Sequence, residues 1–469
     1  MKKVFIIALC AIFTFSSCCS QESVSNAVVK TGIDVLQENG FKQLKGKRVG
    51  LVTNPTGVNK DLVSTVDVLF EAEGVELVAL FGPEHGVRGD IHAGAKVEDL
   101  VDEKTGLKML SLYGKTRKAT PEMLEGIDVM VYDIQDNGCR SFTYISTMGL
   151  LMEACAEQGI EVMILDRPNP LSGLKVEGSV VEPGYFSFVS QFEIPYIYGL
   201  TCGELATLLN EEGMLKGEKG NNDTILKCNL TVIPMEGWTR DMMFQDTKLP
   251  WILPSPHVPQ PESAYFYPAS GIVGELTNYL NIGVGYTLPF QLFTAEWINA
   301  QEFSDALNAL ELPGVVFRPI HVKPFYGGLQ GKSLQGVQFY YTDFQAAPAS
   351  LINFYAMQVV AELYPDHKPF ETADPGRFRM FDLVTGFYKA YGVGKLGLNK
   401  AFRIVHEENG VEIVPISNTA FVDFDDLIGY ELQKQRLMEN TEAFVQGRKA
   451  NNVLLFGDSG TGKSSSIKA

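Results

Sequence analysis

The chain contains no Cys-x-x-Cys pair and no cysteine–histidine cluster at zinc-ligand spacing, so neither a zinc site nor a dithiol redox motif is supported. Basic charge is scarce: 39 Lys and Arg face 56 Asp and Glu, a formal net charge of −17, with no local basic stripe. Nucleic-acid surfaces need such a stripe, and its lack excludes that class of partner. The acidic balance speaks to solubility and not to substrate. No Gly-x-Gly-x-x-Gly follows the first strand-like run, and no Gly-x-Ser-x-Gly elbow occurs. A dehydrogenase and a serine hydrolase are thereby disfavoured. No hydrophobic run reaches the ~20 residues that cross a bilayer.

What is present begins at the N-terminus. Lys2 and Lys3 precede an apolar run from Val4 to Phe15, which has the length of a signal-peptide core. Ser16 and Ser17 then lead into Cys18 and Cys19. Small residues before a cysteine resemble a lipobox. Residues 1–19 are expected to be a lipoprotein signal with Cys18 as the lipidated residue; Cys19, or plain secretory cleavage without lipid, are the other readings. The protein is accordingly expected to be exported, periplasmic and held to the membrane by an N-terminal lipid anchor. Cys139, Cys155, Cys202 and Cys228 are scattered through the body and read as buried small hydrophobes.

A chain of 469 residues has room for two or three domains of about 100–200 residues each. The run from Arg48 to Asn54 is continuously apolar and ends in turn residues, as a buried parallel strand should. Further strands are expected at Glu76–Phe81, Met109–Tyr113, Asp128–Ile134 and Glu161–Leu165, with helical spacing between them and a long helix from about Phe142 to Gln158. This alternation argues an α/β fold, a Rossmann-like doubly wound parallel sheet. A helix follows at Thr201–Met214, with Thr201 and Glu204 at capping-box spacing, and a strand near Leu230–Pro234. The stretch Trp251–Pro289 is rich in proline and aromatics and reads as long loops. From Phe293 to about Ala361 the pattern suggests a second, smaller α/β lobe, with a ligand cleft between the two. The expected division is 25–225 for the catalytic lobe, 226–387 for the smaller lobe and 388–469 for a tail.

The residues just past the expected strands are polar: Asn54 and Pro55, then Gly82 to Gly86, then Asp133 to Asp136, then Asp166 to Pro170. Ligands of open α/β sheets bind outside the carboxyl ends of strands, so these loops point to a site at one edge of the sheet.

In the tail, Val453 to Phe456 runs into Gly457, Gly462, Lys463 and Ser464 at P-loop spacing. Such glycines expose backbone N–H groups to phosphate. No following helix, magnesium-holding acidic strand or remaining sheet accompanies the motif. The tail resembles the truncated start of a bacterial AAA-type ATPase, through Gly397 to Arg403, Asp425 to Gln435 and Asn451 to Lys468. A fusion or truncated reading frame is the expected origin, and the P-loop is expected to be idle.

The body carries a second resemblance. Gly32 to Leu36, Leu44 to Gly57, Phe81 to Gly89, Ser111 to Gly114, Val131 to Asp136, Leu165 to Pro170 and Gly199 to Ala206 are collinear with motifs of the peptidoglycan exo-β-N-acetylmuramidases of the NamZ type. The resemblance implies a Rossmann-like lobe with a smaller α/β lobe. It also implies release of N-acetylmuramic acid, or a related amino sugar, from non-reducing ends of peptidoglycan fragments. One departure stands out. Many members carry a glycine-arginine-glycine loop where this chain has Gly283, Val284 and Gly285, shortly after Glu275. An arginine there would pair with the lactyl carboxylate of muramic acid, so the preferred sugar stays open. A non-catalytic cell-wall sugar-binding lipoprotein is the alternative reading.

Glycoside hydrolysis calls for a protonated carboxylic acid and a second carboxylate. Glu84, in a Gly-Pro-Glu-His-Gly turn after a strand, is the first choice for the acid. Asp133 and Glu177 are rival second carboxylates, Asp133 equally a helix cap. His85, Arg88, Gln135, Asp166, Arg167, Asn54 and His257 are the substrate-binding candidates; Asp166 with Arg167 reads equally as a structural ion pair. Trp238, Trp251, Tyr265 and Tyr267 are candidates for stacking on sugar faces or for packing. No cofactor and no metal are expected.

Overall fold

The computed structural model describes residues 28–89, 100–182, 185–217, 224–276 and 279–367, together with strands 402–407 and 410–415 and residue 435. Cys18 and the P-loop residues Gly457, Gly462, Lys463 and Ser464 lie outside the described residues.

Seven strands form the larger sheet: β1 (Arg48–Thr53), β2 (Glu76–Gly82), β3 (Leu100–Val101), β4 (Lys108–Ser111), β5 (Val129–Asp133), β6 (Glu161–Leu165) and β7 (Leu230–Ile233). Their order is β3-β4-β2-β1-β5-β6-β7. Every pairing is parallel except β3 with β4. The order reverses direction between β1 and β5, the switch point of a doubly wound sheet.

Apolar runs produce this arrangement because both faces are covered. Along β5, Val129 and Val131 pack with α1 (Gly32–Glu38) and α2 (Thr65–Phe70), while Met130 and Tyr132 pack with α3 (Tyr144–Gln158) and α4 (Cys202–Glu211). The period-2 alternation of a strand thus feeds two cores. α3 stops at Gly159, which takes φ +69 in the left-handed region. α4 starts from the expected capping box: the Glu204 N–H donates to Thr201 Oγ1 at 3.2 Å, and the Thr201 N–H donates to Glu204 Oε2 at 3.0 Å. The four described cysteines are free and buried, as small hydrophobes.

The second lobe has an antiparallel sheet in the order β8-β10-β9, from β8 (Leu292–Ala295), β9 (Val315–Val322) and β10 (Leu334–Tyr341). Three helices pack on it: α5 (Pro261–Gly274), α6 (Ala300–Asn308) and α7 (Ala349–Leu363). Pro319 is tolerated in β9 because that strand is an edge.

Two expectations need correcting. β7 belongs to the large sheet, paired parallel to β6, so the first lobe runs past residue 225 to the start of α5. The stretch expected to be loops contains α5, a 14-residue helix. Its Pro261 sits at the first turn, where no N–H is needed. Pro268 lies inside the helix, and its carbonyl accepts from Asn353 Nδ2 of α7 at 2.7 Å. In the tail, β11 (Phe402–Glu407) and β12 (Gly410–Pro415) form an antiparallel hairpin.

Candidate active site

A cleft of about 600 Å³ opens between the two lobes. One side comes from residues past the carboxyl ends of β2, β4 and β5: Glu84 and His85, Tyr113, and Ser141 to Tyr144 at the start of α3. The other side comes from α5 and its end at Glu275, the loop through Val284, and the β9–β10 connection at Tyr326 to Leu329.

Glu84 is aimed by a strained turn. The Gly86 N–H donates to the Pro83 carbonyl at 2.9 Å, and His85 and Gly86 take φ +73 and +75. A non-glycine residue in that region costs about 1–2 kcal/mol, and such strain collects where function requires it. The Thr143 hydroxyl donates to Glu84 Oε2 at 2.6 Å. Burial, followed by the charge of Glu84, raises the phenols of Tyr113 and Tyr144; at Tyr113 the neighbouring Arg117 acts the other way. Both phenols therefore remain protonated donors beside the carboxylate.

The far rim is fastened by hydrogen bonds. The Tyr144 hydroxyl donates to the Pro254 carbonyl, and Trp251 Nε1 donates to the Val258 carbonyl at 3.1 Å. Between those anchors, His257 stacks on Tyr326 with ring centres 6.3 Å apart and planes 17° apart. Ser141 Oγ lies 3.2 Å from the Tyr196 hydroxyl and 3.1 Å from that of Tyr267 on α5, which ties the lobes across the cleft base.

Of the catalytic and substrate-binding candidates, Glu84, His85 and His257 line the cleft, and the others do not. Asp133 is fully buried and doubly paired with Arg167, at 2.6 Å to Nε and 2.9 Å to a terminal nitrogen, and also accepts from Thr65 Oγ1 at 2.5 Å. Both residues are thereby corrected to a structural ion pair. Asp166 accepts from Thr201 Oγ1 at 2.9 Å and from the Gly203 N–H at 2.8 Å, holding the start of α4; burial pushes its carboxyl up to about 6. Gln135 donates to the Asp136 and Pro168 carbonyls at 2.9 and 2.7 Å. Asn54 Oδ1 accepts from the Thr56 N–H at 3.0 Å and caps its own turn. Arg88 pairs with Asp102 at 2.9 Å.

Glu177 is corrected as well. It pairs with buried Lys175 at 2.7 Å and accepts from the Ser350 N–H at 2.8 Å. A carboxylate there complements the N-terminus of α7 and joins the lobes away from the cleft. Among the four aromatic candidates Tyr267 alone lines the cleft; Trp251 packs edge-on against Phe244 at 4.7 Å. Tyr113, Thr143 and Glu275 are cleft residues absent from the sequence-derived candidates. Tyr113 and Glu275 stand inside quoted motifs, which was the available signal.

Residues 49–262 match the family described as exo-beta-N-acetylmuramidase NamZ, N-terminal, and residues 265–391 match its C-terminal counterpart. The peptidoglycan beta-N-acetylmuramidase NamZ of Bacillus subtilis (strain 168) is 47% identical over 350 residues, covering 75% of this chain and 81% of that one. The chain belongs to the NamZ family. Two crystal structures of DUF1343 family proteins from Bacteroides fragilis NCTC 9343 are similar to it. One shares 59% identity with a TM-score of 0.71, covering 77% of this chain and 91% of the other. The second shares 26% identity with a TM-score of 0.54, covering 78% and 99%. Residues 398–469 match a separate family, described as a protein of unknown function (DUF815).

The two NamZ matches meet between residues 262 and 265, at the start of α5, where the large sheet's lobe gives way to the smaller one. The loop after α5 turns on two glycines. Gly283 and Gly285 take φ +92 and +95, and a Cβ on either would fall 1.9 Å from the Leu288 carbonyl oxygen or 2.5 Å from that of Tyr326. The loop presents Val284 at the cleft.

Proposed function

We propose that this chain is an exo-acting glycoside hydrolase that releases N-acetylmuramic acid from the non-reducing ends of peptidoglycan fragments. The reading rests on Glu84, held on its strained turn by Thr143 at 2.6 Å and facing the interlobe cleft, in a chain of the NamZ family. Glu84 donates the proton to the leaving glycosidic oxygen. Glu275, presented from the other lobe at the end of α5, is the second carboxylate that activates water or attacks the sugar carbon. Thr143 and Tyr113 orient Glu84, and His85 and His257 meet the sugar's hydroxyl and acetamido groups. The cleft volume suits a ligand of sugar size.

The test is turnover of a chromogenic β-N-acetylmuramide. Glu84→Gln and Glu275→Gln are each expected to lower kcat by about a hundredfold or more with unchanged thermal unfolding. Wild-type turnover in folded Glu84→Gln would reject its role. A folded wild-type protein that releases nothing would favour a sugar-binding lipoprotein.

Export and lipid attachment belong to the same proposal, supported by the charged, apolar and small-residue pattern that ends at Cys18. Labelled palmitate is expected to enter the wild-type protein and not Cys18→Ala. Loss only in Cys19→Ala would move the anchor by one residue.

A further inference from the structure

The substrate proposed above carries a lactyl carboxylate, yet it would enter a protein of net charge −17 through a cleft that presents the Glu275 carboxylate. Like charges facing each other across a binding surface reject a ligand, so a cation has to receive the anion. Among the described residues lining the cleft there is no lysine or arginine, and position 284 is valine.

The arginines of the two lobes differ in what occupies them. Arg48, Arg88, Arg167 and Arg240 each hold a carboxylate, that of Asp128, Asp102, Asp133 and Glu204 respectively. Arg140 is buried and donates from Nη1 to the Ser179 and Ile194 carbonyls, and Arg318, on β9 of the smaller lobe, donates to the Gln338 side chain at 3.3 Å. Arg117 forms no ion pair with a carboxylate among the described residues, and it is exposed. Its guanidinium carbon lies 4.0 Å from the ring centres of both Tyr113 and Phe188. Those rings are 6.0 Å apart and tilted by 56°, so the cation is wedged in the notch between them. Tyr113 lines the cleft beside Glu84, and so does Val189, the neighbour of Phe188. The notch therefore shares the Tyr113 ring with the cleft.

This is how a protein holds an arginine ready for an anion. The two rings meet the guanidinium from adjacent sides through cation–π contact, and the Tyr113 hydroxyl takes one hydrogen bond from it; together they restrict its rotamers and leave the N–H donors turned away from the rings for a planar partner. We propose that Arg117 receives the carboxylate of the sugar substrate and selects acidic over neutral amino sugars, the role for which position 284 has no charge. This inference rests on the glycosidase reading, and the experiment separates the two.

Wild type, Arg117→Gln and Arg117→Lys are assayed on chromogenic β-N-acetylmuramide and β-N-acetylglucosaminide. In parallel, binding of N-acetylmuramic acid and N-acetylglucosamine is titrated calorimetrically. Arg117→Gln is expected to raise KM for the muramide by about ten- to a hundredfold with kcat little changed, as for loss of one charge-assisted contact made equally in ground and transition states. It should weaken binding of the acidic sugar and leave the neutral one alone, and Arg117→Lys should recover part of the loss. An unchanged muramide KM, or equal weakening of both sugars, overturns the assignment while leaving the glycosidase reading intact. If the wild type turns over neither substrate, that reading falls and the titrations still decide Arg117: selective loss of the acidic sugar supports it, and no selectivity overturns it.

Discussion

At the scale of single residues, polar convergence at a sheet edge is not the same as a binding site. The loops after β1, β5 and β6 do come together, as their sequence positions implied. Once together, they bond one another: Arg167 to Asp133, Asp133 to Thr65, Gln135 to Pro168. Strand-end spacing identifies which loops meet and carries no information on whether their side chains face each other or a ligand. Glu84 was legible because the turn that holds it is written locally, in Pro83, His85 and Gly86. The Asp133–Arg167 pair makes a test of the distinction. Removing one partner of a buried pair costs about 3–5 kcal/mol, so Asp133→Asn should shift the urea midpoint down by that measure. Protein that remains folded should keep its muramide KM; a raised KM with unchanged stability would return Asp133 to the site.

At the scale of elements, the parallel strands were readable because burial on both faces turns them into apolar runs. α5 was not. It is buried on nearly every side, which erases helical periodicity, and its two prolines read as loop. That one element carries Tyr267 and ends at Glu275, so missing it hid the residue proposed as the second carboxylate and half of the cleft. The junction of the lobes was equally hidden, since Lys175 and Glu177 meet α7 about 170 residues further on, with Lys175 Nζ donating to the Ala347 carbonyl at 2.7 Å. Glu177→Gln keeps the shape and removes the charge that pairs Lys175 and complements the helix end. A loss of about 2–4 kcal/mol is expected from the unpaired buried ammonium. Amide exchange should quicken at the start of α7 and not in β1 or β5; uniform quickening would mean that the staple is not local.

At the scale of the whole molecule, buried carboxylates determine how stability follows pH. Asp136 is fully buried under the Tyr198 hydroxyl, and burial pushes its carboxyl from 3.8 up to about 7. Asp166 follows to about 6. Unfolded, both would titrate near the ordinary carboxylate value, so above it the native state binds more protons than the unfolded chain. Stability from these two groups is therefore fully present below about pH 4 and drains as pH rises through about 6 and 7. Asp102 works in the opposite sense: burial pushes its carboxyl up, but the hydrogen bonds and charge of Arg88 together with Thr105 outweigh it and hold it below the ordinary value, so its contribution is lost as pH falls through the acid range. Between pH 4 and 7 the raised pair dominates, and the wild-type unfolding temperature should fall with rising pH by the equivalent of a few kcal/mol. Asp136→Asn keeps a neutral side chain of the same size at every pH. It should flatten that profile while leaving the limb below pH 4 as it was. A wild-type curve that already runs flat from pH 4 to 7 would mean that Asp136 is ionised in the fold, and that the Tyr198 hydroxyl outweighs the cost of burying its charge.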